Sequence, residues 1–247
     1  MSGRSVSAGS NGKRRAFLAL CSVLIVVFTL LGSWQVQRLF WKLDLIERVE
    51  SRIHAAPAPA PGSSEWLSIN AADYEYRRVE LRGKYGNAAP ALTMAVTERG
   101  PGYWVMAPFQ TDTGFTVLIN RGFISNADRA SNLWQARPAV TELTGLLRLT
   151  EPDGGFLRSN DPAADKWYSR DVAAIAGSRG ISGFAPYFVD ADTASEPGPV
   201  PTGGMTQLTF RNAHLVYALT WFGLAAMSLV AFIYLYRRKE QDSISPE

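Results

Sequence analysis

Few side chains in this 247-residue chain could carry chemistry, because it holds one cysteine, Cys21, and two histidines, His54 and His214. That set cannot supply the three or four soft ligands of a zinc or copper(I) site. A single thiol cannot close a disulfide within the chain. Any Ser-His-Asp or Cys-His arrangement would have to use His54 or His214, and both lie in or beside apolar helical segments, so nucleophilic hydrolysis has little support. His214 is the sharpest candidate. It stands three positions past Arg211 in an uncharged apolar stretch, where an ionisable group is costly enough to suggest function. Tyr217, Ala218 and Trp221 follow at three, four and seven residues and so share its helical face. An imidazole beside aromatic rings and one small residue could give a haem iron an axial ligand. It could equally be an interfacial histidine among belt aromatics, since three residues of helix amount to only about 4.5 Å of depth.

Trp34, Gln35, Arg38 and Trp41 gather at the end of an earlier apolar stretch. Trp and Arg there are most simply interfacial anchors, but Gln35 lies within the stretch and needs a hydrogen-bond partner, for which the second stretch is the natural source. The two stretches are therefore expected to pack together. Asn120-Arg121-Gly122 reads as a strand end and turn, or as an arginine aimed at a carboxylate, a haem propionate or a partner protein. His54 lies in a charged helix beside a linker and is expected in solvent. Cys21 is expected to act as a small buried hydrophobe.

These residues must be positioned by two segments without charge, one between Arg15 and Arg38 and one between Arg211 and Arg237. Each exceeds the roughly 20 residues that span a hydrocarbon core, which predicts transmembrane helices over 16–37 and 212–236. A cleaved signal peptide is the alternative for the first, but Leu31-Gly32-Ser33-Trp34 offers no A-x-A-like cleavage site, so an uncleaved anchor is the better reading. Basic residues flank the outer end of each helix, Lys13 to Arg15 and Arg237 to Lys239, and such residues stay cytoplasmic. Both tails, 1–15 and 237–247, are then cytoplasmic, and everything between the helices lies across the membrane. No Arg- and Ser-rich amphipathic presequence precedes the first helix, which favours a bacterial inner membrane and a periplasmic domain.

The formal charge of +3 also comes from the tails: between Arg38 and Arg211 there are 18 basic and 19 acidic side chains, which argues against a nucleic-acid-binding face. Within that region, Leu39, Leu43, Ile46, Val49 and Ile53 recur at three- and four-residue spacing and predict an amphipathic extension over 38–54. An extended Pro/Ala linker follows over 55–64. Residues 65–195 then read as a β-rich domain. Its strand candidates are Arg77–Tyr85, Ala91–Thr97, Tyr103–Phe109, Phe115–Phe123 and Val140–Leu149, separated by glycine turns. Short helices are expected at Asn126–Gln135 and at Ser169–Ala176, with Ser169 as cap and Asp171 in the first turn. A Pro/Gly linker over 196–211 returns to the membrane. The fold class is thus an α+β membrane protein: a transmembrane hairpin flanking an antiparallel β-rich domain, its strands curling toward a barrel.

Several strings here resemble one family. GSWQVQRLFWKLDLIERVE, YRRVELRGKY, GYWVMAPFQ, VLINRGF, SNDPAADKWYSRD and above all RNAHLVYALTWFGLA are similar, in order and topology over roughly residues 16–236, to the surfeit-locus assembly factors of haem-copper cytochrome c oxidase. The resemblance implies a membrane-bound, non-enzymatic helper for assembly of the oxidase catalytic subunit I, with haem a synthase as a further partner. It also implies haem a as a transient cofactor with His214 as iron ligand. The ring would then lie against Tyr217 and Trp221, with Gln35 and Trp34 across the helix interface. Arg121 and Arg38 are the residues put forward for contact with a protein partner. The competing expectation is a cofactor-free scaffold that stabilises the nascent subunit.

Overall fold

The computed structural model describes residues 7–136, 141–155, 157–195, 198–206 and 212–244, with side chains between 12 and 237 of those spans. Val140, Glu196, Pro197, Arg211 and the side chains of Arg238 and Lys239, all used above, lie outside what is described. In chain order the helices are α1 (Ser7–Ile53), α2 (Ala71–Tyr74), α3 (Asn126–Ser131), α4 (Val172–Ser178) and α5 (His214–Ile244). The strands are β1 (Ala58–Pro59), β2 (Arg78–Tyr85), β3 (Ala91–Thr97), β4 (Gly100–Thr111), β5 (Thr116–Ser125), β6 (Glu142–Leu149) and β7 (Phe184–Ala191). They form two compact units: residues 1–47 with 209–247, and residues 48–208.

In the first unit α1 and α5 are each long and apolar enough to cross a membrane, by length and composition. On each, a stripe of less exposed positions runs at alternating steps of four and three. On α1 these are Arg14, Leu18, Cys21, Ile25, Phe28, Gly32, Gln35 and Leu39; on α5 they are His214, Ala218, Trp221, Ala225, Ser228, Phe232 and Leu235. A seven-residue repeat on both partners is the seam of a coiled-coil-like pair. The pair is antiparallel. Arg14 Nε donates to the Leu235 carbonyl at 3.1 Å, Phe28 stacks on Trp221 with ring centroids 5.7 Å apart, and Gln35 meets His214. Gly32 leaves room for Phe222, whose ring would lie 2.7 Å from a Cβ built there. As the amphipathic spacing predicts, α1 does not stop at residue 37 but continues unbroken to Ile53.

In the second unit the strands run in the order β1-β2-β6-β7-β5-β4-β3, and β4 also pairs with β2. Five strands thereby close into a barrel, with β1 and β3 added outside the ring, and closure removes the unpaired edges that an open sheet exposes. Gly83 makes the closure possible. Residues 78–82 of β2 pair with β6, and residues 83–85 switch to β4. At the switch Gly83 has φ +154°, and a Cβ there would stand 2.0 Å from the Gln110 carbonyl oxygen.

Inside the barrel lie Val79, Leu81, Phe109, Val117, Ile119, Leu143, Leu147, Tyr187 and Val189. Alternate residues of the same strands, Leu118 and Phe188, face outward and join Met106, Trp167, Val172 and Ile175 in a second core beneath α4.

Several expectations need correction. The sheet is not antiparallel throughout: β5 pairs with β7 in parallel, as β1 does with β2. β7 itself is absent from the strands predicted above; it is buried on both faces, so it lacks a polar alternation, and it contains Pro186. The missing N–H of Pro186 falls in the register irregularity between the Thr116–Phe184 and Leu118–Phe188 pairs. Asn120-Arg121-Gly122 is no strand end, because β5 continues to Ser125. Ser169 does not cap α4; Asp171 does, accepting from Ala174 N, while Ser169 Oγ accepts from Gly154 N at 3.1 Å and from Asn160 Nδ2 at 3.0 Å. The Pro/Ala stretch is extended but not free. Ala58 and Pro59 pair with Val79 and Glu80, and the Pro61 carbonyl accepts from Trp66 Nε1 at 3.3 Å and Tyr187 Oη at 2.8 Å.

Candidate functional site

His214 opens α5, its backbone N–H reaching the Asn212 side-chain oxygen at 3.4 Å. The imidazole is half-buried, and its Nδ1 lies 2.8 Å from Oε1 of Gln35. Gln35 is only 9% exposed, so the pair sits in the helix seam, and the partner that an apolar helix must find for a carboxamide is this histidine. Among the described residues no hydrogen bond engages Nε2 of His214, the ring nitrogen away from Gln35.

The surrounding aromatics divide into two kinds. Trp221 is held against Phe28 across the seam, and Ala218, 2% exposed, lets the helices approach between His214 and Trp221. Tyr217 and Trp34 are 56% and 54% exposed, on the flanks of the seam. Of the residues expected at the site, His214, Gln35 and Trp221 thus lie along the seam, whereas Tyr217 and Trp34 present open rings beside it. Arg38 lies over the Trp41 ring, 4.2 Å from its centroid, in the manner of an interfacial pair. Cys21 is on the inward stripe at 4% exposure.

Arg121 belongs to the barrel, where it is 3% exposed, donates to the Trp134 carbonyl at 2.9 Å and lies 5.2 Å from the Tyr85 ring centroid. At that burial it is an internal tie, which corrects its expected place on a contact surface. Gly122 explains the local sequence: with φ +128°, it admits the returning strand segment at Thr202, whose carbonyl would stand 2.2 Å from a Cβ. His54 is in solvent, its Nε2 3.0 Å from Glu50 Oε1.

Sequence reasoning missed the densest polar cluster. Asp190, 4% exposed, accepts from Asn120 Nδ2 at 2.7 Å, Arg148 at 3.0 Å, Thr206 Oγ1 at 3.0 Å and Arg170 at 3.4 Å. Arg148 also reaches Glu75 at 2.7 Å, and Arg170 pairs with Glu151. Burial pulls the pKa of the Arg148 guanidinium down, but Asp190 and the hydrogen bond to Glu75 raise it above the usual arginine range. Glu151 is likewise pushed upward by burial, yet its hydrogen bonds from Arg170 leave its carboxyl below the usual range. The cluster crosses the parallel β5–β7 seam and β6, so it fixes register there. Its bonded side-chain pairs are separated by up to 73 positions, which leaves no local pattern to find.

Known proteins supply the remaining context. The SURF1 family model matches residues 22–226, which take in Gln35 and His214. The chain belongs to the SURF1 family. It is 38% identical to surfeit locus protein 1 of Mus musculus over 84% of this chain and 72% of that protein. The Homo sapiens protein of the same name is 36% identical over 91% and 78%. A SURF1-like protein of Drosophila melanogaster is 31% identical over 79% and 69%.

Proposed function

We propose that this member of the SURF1 family is a membrane-anchored, non-enzymatic assembly factor for haem-copper cytochrome c oxidase that holds haem a transiently at His214 and helps deliver it to catalytic subunit I. The observation that carries the reading is the imidazole itself. Its Nδ1 is tied to Gln35 and its Nε2 has no hydrogen bond among the described residues, at one end of a helix pair long enough to cross a bilayer.

The residues fit the group. Haem a, when bound, would supply an iron that His214 could hold through its ring nitrogen and an isoprenoid tail that prefers lipid. His214 offers a ring nitrogen from a half-buried position, and Tyr217 and Trp34, one on each helix, have exposed rings. Trp221, braced by Phe28, is a fixed wall. A single imidazole would hold the group by a bond that a histidine of the oxidase could replace, as delivery requires.

In this reading the helices cross a bacterial inner membrane, the basic tails keep both termini cytoplasmic, and the barrel unit faces subunit I in the periplasm. Haem a synthase would be the donor.

The test is an optical spectrum and haem extraction of detergent-purified protein from a haem a-producing host, comparing wild type with His214→Ala and His54→Ala. Haem a in wild type and His54→Ala but not in His214→Ala is the expected result. Haem-free wild type, or equal loading of all three, refutes ligation by His214 and leaves the cofactor-free scaffold.

A further inference from the structure

We propose that Gln35 is a positioning residue that sets the tautomer of His214 and so decides which of its nitrogens can bind iron; this inference rests on the haem-binding reading above. The geometry is specific. The atom of Gln35 that faces Nδ1 is Oε1, at 2.8 Å, and a carboxamide oxygen can only accept. In this pairing Nδ1 is the donor, which leaves the lone pair on Nε2. The opposite tautomer would put the lone pair on Nδ1, against a glutamine that is 9% exposed and packed into the seam, where no iron could reach it.

Histidine in water prefers the proton on Nε2, so the ligand-competent form needs an acceptor at Nδ1. Histidines that bind metals ordinarily have one, a carboxylate, carbonyl or water behind the ring. Here the acceptor comes from the other helix. Competence for the cofactor is thus a property of the assembled pair α1–α5, and α5 alone lacks it. Gln35 acts through His214 and is not itself a contact for the ring, unlike Trp34 beside it, which is exposed.

The chain suits a direct test, because it has only two histidines. Full-length protein labelled with ¹⁵N-histidine is placed in nanodiscs, and the ring nitrogens of His214 are read by NMR without any cofactor, with His54→Ala assigning the signals. Haemin is then titrated as the probe.

Wild type is expected to show Nδ1 protonated and Nε2 bare. Gln35→Leu should shift the proton to Nε2 and weaken haemin binding about 10- to 100-fold. Gln35→Glu keeps the acceptor, so it should retain the wild-type tautomer and most of the affinity, which separates a lost acceptor from a damaged helix pair. Nε2 protonated in cofactor-free wild type, or unchanged haemin affinity in Gln35→Leu, overturns the role of Gln35 even if His214→Ala abolishes binding. Haemin binding that survives His214→Ala intact overturns the haem-ligand reading instead, and with it the ligand-orienting role, whatever the tautomer.

Discussion

Removing the carboxylate of Asp190 should destabilise the barrel unit more than any exposed charge change. Its side chain is 4% exposed and faces Arg148 and Arg170, whose side chains are 14% and 13% exposed. Asp190→Ala leaves both guanidiniums buried with less compensation and strands the Asn120 amide that donates to it at 2.7 Å. Breaking a buried ion pair from one side costs about 3–5 kcal/mol. Arg148 keeps Glu75 and Arg170 keeps Glu151, so the lower end, about 3 kcal/mol, is the expected loss. For a domain of this size, each kcal/mol lowers Tm by about 2–4 °C, which gives a fall of about 6–12 °C. Thermal unfolding of the purified protein in detergent, followed by near-UV circular dichroism at neutral pH, measures it. The fall should persist in high salt because the pairs are buried. Arg82→Ala is the control. It breaks only the exposed pair with Glu142 at 3.5 Å and should cost less than about 1 kcal/mol. An Asp190→Ala protein within about 2 °C of wild type would show that Glu75 and Glu151 alone satisfy the two arginines, and the argument for Asp190 as the hub would fall.

Other expected outcomes are more local. Gly83→Ala forces a Cβ against the Gln110 carbonyl at the barrel closure, and a loss of about 2–4 kcal/mol should appear in the same unfolding measurement. Gly32→Leu should push α1 and α5 apart through Phe222, whereas Gly223→Leu, with nothing within 4 Å, should not; spin-label distances between the helices report the difference. Tyr187→Phe removes the hydrogen bond that pins Pro61 and should cost about 1 kcal/mol in denaturant unfolding. Because the carboxyl of Glu151 lies below its ordinary range when folded, its pairing with Arg170 stabilises the protein above the unfolded pKa near 4.5 and is lost as pH falls through the lower folded value. Glu151→Gln should flatten the stability–pH curve in that acid window and nowhere else.

The two apolar helices and the run of α1 beyond residue 37 were legible because length and three-to-four spacing are properties of contiguous residues. The need of Gln35 for a partner was legible too, since a carboxamide in an apolar helix has few choices, and the structure supplies His214. The four-three seam was present in the residues of both helices but was masked by uniformly apolar composition, against which an inward stripe shows no contrast. β7 was lost for the same reason, being apolar on both faces, with Pro186 as a further false signal. The Pro/Ala stretch disclosed its extended backbone but not its pairing with β2, because pairing depends on a distant strand. Asp190, Arg148 and Arg170 carry no local pattern that sets them apart, and Arg121 drew notice only as a candidate for contact. Their burial is a product of barrel closure, and no single-strand pattern announces it.

The helix pair is tied by polar contacts at two levels, Gln35 to His214 and Arg14 to the carbonyl of Leu235. At about 1.5 Å per residue, His214 and Leu235 are separated by roughly 32 Å along α5, close to the thickness of a hydrocarbon core. The hairpin is therefore a ruler with a clasp at each end. Sliding one helix past the other to suit a thicker or thinner bilayer would open both clasps together, so the pair should meet a mismatch by tilting as one body. The imidazole would then keep its seat beside Gln35 while its depth follows the membrane, and lipid chain length becomes an experimental handle on how far His214 lies from the surface.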